Sequence, residues 1–162
     1  MSSDDNFEWL TPLLAAADIS SLDQIAVSVA PEKDLGLITL LAGWREHVAR
    51  IEGEVVLPDT DEALWGVWDY AAALTLRSFI ARGLKLAEMT SVVGYRRALD
   101  MIDDRFRRIT EEDVSGFMRR VDRAEASNAD RYEPPSVDEW WWDRVLRIGP
   151  IRREIERMES AY

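Results

Sequence analysis

Three observations predict an all-α fold. Apolar residues recur at helical rather than strand spacing along most of the chain, caps and glycine stops fall between helix-length segments, and no alternating run is long enough to build a sheet. The expectation is a single domain over 1–162, an irregular or orthogonal bundle of about seven or eight helices with no significant sheet.

Thr11-Pro12 places a cap before a proline at the first helical position, predicting a short helix through Leu13, Leu14 and Ala17, with Phe7, Trp9 and Leu10 packing just before it. Ser21 to Gln24 has capping-box spacing and predicts a second short helix ending by Pro31. A third helix, from near Glu32 to Glu52, is marked by Leu37, Leu41, Trp44, Val48 and Ile51 and stopped by Gly53. Val55 to Leu57 is expected to form a short extended connection. Asp59 or Thr60 then caps a fourth helix running to Arg82, with Gly83 as its stop; Trp65, Val67, Trp68, Leu74, Phe79 and Ile80 leave it little polar surface, so it reads as central.

The fifth helix carries the clearest period, with Val92, Tyr95, Leu99, Ile102, Phe106 and Ile109 alternating three and four apart. Thr110 to Asp113 resembles a capping box for a sixth, with Val114, Phe117, Met118 and Val121 inward. A polar loop spans 126–135, and a Trp-rich seventh helix is expected over 136–148, capped by Ser136 to Glu139. Gly149-Pro150 separates it from a last helix bearing Ile151, Ile155 and Met158.

Charge is distributed unevenly. Residues 1–62 hold 13 acids and 3 bases, net −10, whereas 63–162 hold 18 acids and 17 bases, net −1, within a chain of 162 residues and net charge −11. Such a field opposes direct binding to nucleic acid or anionic membranes and speeds encounter with a basic partner. The longest uncharged run, Leu35 to Trp44, is half what a bilayer span needs, and the acidic start Met1-Ser2-Ser3-Asp4-Asp5 is unlike a secretory signal, so a cytoplasmic protein is expected. With no cysteine and one histidine, His47, disulfides, thiolate metal sites and paired-imidazole chemistry are excluded.

Three features carry possible chemistry. Asp100, Asp103 and Asp104 have the spacing with which a helix presents oxygen ligands to magnesium, joined in that reading by Glu111 or Glu112. Read backwards, the five residues resemble the aspartate-rich motif of all-α prenyl-transferring enzymes, which implies a divalent metal. Against this, Arg96 and Arg107 lie four residues from Asp100 and Asp103, predicting a ladder of ion pairs instead. His47 falls at the edge of the third helix's stripe, where an imidazole serves as base, ligand or boundary residue. Trp140-Trp141-Trp142 fans over about 200° of a helix, so one ring falls outside the core stripe of Val137, Trp141, Val145 and Ile148; that ring is Trp140, beside Arg144 and Arg147.

No nucleotide-binding glycine loop or serine nucleophile elbow is present. No catalytic residue, cofactor or metal site is therefore assigned, and binding is favoured over turnover. The expectation is a protein-binding module, most concretely an acidic inhibitor of a basic partner, comparable in physical type to immunity proteins or antitoxins. Asp59, Asp61 and Glu62 would steer the encounter, and Trp140, Arg144 and Arg147 would hold the complex. The alternatives are a carboxylate or metal-dependent helical enzyme at Asp100, Asp103 and Asp104, and a subunit of a homo-oligomeric assembly.

Overall fold

A computed structural model describes residues 5–58, 64–87, 92–126 and 134–161, with residues 5, 6 and 122–126 described by backbone alone. Among them, six α-helices and two short 3-10 segments accompany two antiparallel strand pairs. The chain is predominantly helical, and no helix among the described residues is long and apolar enough to cross a membrane. Two compact units divide it, one from Met1–His47 with Leu76–Asp104 and the other from Val48–Thr75 with Arg105–Tyr162.

The first unit holds a 3-10 turn at Asp5–Leu10, helix α1 (Ala16–Asp23), and strands β1 (Ala26–Ala30) and β2 (Lys33–Gly36). Here the expected second helix is corrected to a hairpin. Val27 is buried while Ala26, Ser28 and Ala30 are exposed, an alternation that a strand satisfies and a helix does not. Pro31 and Glu32 close the turn, Glu32 in the left-handed region at φ 60°.

Helix α2 (Leu37–Glu54) follows directly, so Lys33–Gly36 leaves the predicted third helix, whose five stripe residues are all fully buried. Its first turn is capped from a distance: the Asp23 carboxylate accepts from the Thr39 backbone N–H at 3.1 Å. Gly36 makes room for this, because a Cβ there would collide with Asp23. Helix α3 (Val67–Leu86) runs three residues past Gly83, which is not a stop; it lies against Leu37 and Val27, where a larger residue would not fit. Helix α4 spans Val92–Ile109 as predicted.

In the first unit the core gathers Leu22, Val27, Leu37, Leu41, Trp44, Ile80, Tyr95 and Ile102. It also buries charge. Asp103 is 3 % exposed and takes two parallel hydrogen bonds from Arg77, with the Trp44 indole N–H donating to it at 3.0 Å.

The second unit contains strand β3 (Thr110–Glu112), helix α5 (Phe117–Ala126), a 3-10 turn at Trp140–Asp143, strand β4 (Arg144–Leu146) and helix α6 (Pro150–Ser160), besides segments of α2, α3 and α4. Thr110 opens a strand, not a capping box, so Val114 is 89 % exposed in a turn; Phe117, Met118 and Val121 are buried as expected. Asp113 nevertheless caps α5, accepting from the Met118 N–H at 2.9 Å.

The Trp-rich helix expected over 136–148 is a correction too. β4 pairs with β3 in the register Thr110↔Leu146, Glu111↔Val145 and Glu112↔Arg144, and the ladder is prolonged by Asp113 N–H to Asp143 O and Arg147 N–H to Ile109 O. Arg119 donates to the carbonyls of Pro135 and Glu139 and forks the Asp143 carboxylate, so these carbonyls are diverted from an α-helical ladder. Trp141 and Val145 are buried, whereas Val137 and Ile148 are exposed, contrary to the expected stripe. Val55–Leu57 is a turn, not an extended strand. Trp68, expected in the core, is 48 % exposed.

Candidate functional site

The short sheet of the second unit presents different chemistry on its two faces. Residues paired across an antiparallel ladder point the same way, and successive residues point oppositely. Glu111 and Val145 therefore share one face, and Thr110, Glu112, Arg144 and Leu146 share the other.

On the Glu111 side, β3, the turn after it and α6 enclose a groove of about 560 Å³. Val145 and Ile155, both buried, contribute apolar surface to it. Its polar lining holds five carboxylates, Glu111, Glu112, Asp113, Glu156 and Glu159, against one guanidinium, Arg152. Arg152 donates to Glu111 and to Glu156, each at 3.0 Å, and the bond to Glu156 is the main reason its pKa is raised. The Ser115 hydroxyl donates to Glu159 at 2.8 Å. The remaining excess is negative, which suits a cationic side chain and disfavours an anion. Sequence reasoning did not find this groove, because its walls come from segments some 40 residues apart.

The Trp140, Arg144 and Arg147 of the sequence expectation lie outside the lining of this groove, Arg144 on the opposite face of the ladder. Trp140 is half-buried: the Arg107 guanidinium stacks over its ring at 4.0 Å, Phe106 lies 6.1 Å away and Trp141 meets it edge-on at 5.8 Å. Arg144 donates through Nε to the Thr110 hydroxyl at 2.8 Å and through Nη2 to the carbonyls of Thr110 and Arg107. Arg147 donates through Nε to the Thr110 carbonyl at 2.8 Å. Both arginines thus cap the C-terminal end of α4, where the helix dipole favours cations. The Tyr70 hydroxyl, whose pKa burial raises well above the ordinary value, donates to the Arg144 carbonyl at 2.6 Å. Desolvation lowers the Arg144 pKa, and Arg107 and Arg147 lower it further.

Asp59, Asp61 and Glu62 lie outside the described residues. The three aspartates of the metal alternative are not brought together: Asp100 and Asp104 are exposed, whereas Asp103 is buried against Arg77. Asp103 therefore pairs across to α3 instead of with Arg107 on its own helix, and Arg107 stacks on Trp140. Among the described residues no group of three or more His, Asp or Glu is placed to hold a metal ion. His47 is half-buried on α2.

Comparison with known protein families, with curated proteins and with solved structures finds no match.

Proposed function

We propose that this chain is a protein-binding module that accepts a basic partner, acting as an acidic inhibitor of that partner. The observation that carries the reading is the groove between β3 and α6, in which five carboxylates face one guanidinium beside an apolar surface. Carboxylates at the rim attract a lysine or arginine, and Val114, the exposed apolar residue of the lining, supplies the desolvated contact that charge alone lacks. The net charge of −11 adds long-range attraction of the same sign.

The test is affinity capture from the source organism at low and high salt, comparing the natural chain with a Glu112→Gln, Glu156→Gln, Glu159→Gln triple variant. All three side chains are exposed. A basic protein retained at low salt, released at high salt and lost by the variant supports the reading. A partner held equally by both chains, or one of acidic composition, overturns it.

A further inference from the structure

Arg144 and Arg147 converge on a single oxygen. Nη2 of the first and Nε of the second donate to the Thr110 carbonyl at 2.9 and 2.8 Å, so two positive groups meet at one acceptor. Among the described residues neither forms an ion pair with a carboxylate. The end of α4 offsets part of this, but a helix C-terminus carries only about half a negative charge. Glu112, opposite Arg144 in the ladder, acts on it through its field without an ion pair. Arg107 brings a third guanidinium nearby, held flat over Trp140. Arg147 is exposed and, among the described residues, bonds through its side-chain Nε alone, which leaves the Nη1 and Nη2 edge that forks a carboxylate unspent there.

We propose that this surface is a second site, separate from the groove, which takes an aspartate or glutamate side chain of a short acidic peptide segment. The arginines are pre-organised for it, since Arg144 is fixed by three hydrogen bonds and Arg107 by its stack on Trp140, so little rotamer freedom is lost on binding. The chain's overall negative charge opposes an extended polyanion such as nucleic acid, whereas a short segment places its carboxylates within the local field.

A blocked tetraglutamate peptide is the probe, with inorganic phosphate as a second arm, titrated at physiological ionic strength and followed by calorimetry and by the arginine Nε–H resonances. Saturable peptide binding that shifts the Arg147 signal is expected, weakened about fivefold by Arg147→Gln, with the variant still folded and its thermal midpoint lowered only by the loss of one helix-end hydrogen bond. Arg147→Lys should restore only part of the loss, because an ammonium lacks the fork. No saturation by about 5 mM peptide, where a millimolar site would be mostly filled, overturns the proposal, as does equal affinity in Arg147→Gln. Phosphate binding as tightly as the peptide overturns the peptide assignment and leaves a simple anion site.

Discussion

Arg77 meets Asp103 through two parallel hydrogen bonds, Nε to Oδ1 at 3.0 Å and Nη2 to Oδ2 at 2.9 Å, with both residues less than a tenth exposed. Removing one partner strands the other's charge in the core, so Asp103→Asn or Arg77→Met should each cost about 3 to 5 kcal/mol in urea unfolding, and replacing both by apolar residues should cost much less. Because both Asp103 oxygens are engaged, Asp100→Asn should leave magnesium affinity unchanged. A double variant as unstable as the sum of the singles would mean that the pair is not an isolated unit.

Phe106 is fully buried beside Tyr70, with ring centroids 6.3 Å apart, while Trp68 is 48 % exposed on α3. Phe106→Ala should cost about 3 to 5 kcal/mol and Trp68→Ala less than about 1 kcal/mol, despite the larger side chain. Equal costs at both sites would place Trp68 against something that its exposure does not show.

The contrast between these residues shows what was legible in the sequence. α4 was legible because Val92, Tyr95, Leu99, Ile102 and Phe106 form one stripe against a polar remainder, and a period is a local property. α3 is apolar on most sides, so its inward face was not encoded locally, and Trp68 was misassigned. Segments 26–30 and 110–112 became strands because each found a partner, in one case 32 to 36 residues away, which no window of helical length detects. The groove was illegible for the same reason. Trp140 was distinguished correctly from Trp141 and Trp142 as the less buried ring, though by a helical argument that does not apply to a 3-10 turn.

Tyr70 and Tyr95 provide a pH test. Burial raises both hydroxyl pKa values; Tyr95 donates to the Leu37 carbonyl at 2.9 Å and Tyr70 to that of Arg144. In the unfolded chain a tyrosine ionises near pH 10. Below that value both states keep the proton and stability is fully present. Above it only the unfolded state loses the proton, so each residue should remove about 1.4 kcal/mol of stability per pH unit as the pH rises towards the folded value. Unfolding midpoints should therefore fall between about pH 9 and pH 11, and less steeply in Tyr95→Phe. Tyrosinate absorbance should show two of the four tyrosines silent until the chain unfolds. A flat midpoint over this range would contradict the burial of both hydroxyls.

Charge and aromatic contact should separate kinetically once the basic partner of the proposed function is in hand. Steering acts on association and fades with salt, since the screening length falls from about 10 Å at 0.1 M to about 3 Å at 1 M. Neutralising Asp59, Asp61 and Glu62 should slow association and leave dissociation nearly unchanged, because rim charges govern encounter more than residence. Trp140→Ala is the opposite probe, expected to speed dissociation. It needs a control, because Trp140 packs on Phe106 and Trp141 and supports Arg107, so its removal also loosens the second unit. Arg107→Gln supplies that control: it removes the exposed guanidinium and keeps the ring contacts. Faster dissociation in both variants, with unfolding midpoints unchanged in Arg107→Gln, assigns this surface to the interface. Faster dissociation in Trp140→Ala alone, in step with its loss of stability, assigns the ring to the fold and takes it out of the interface.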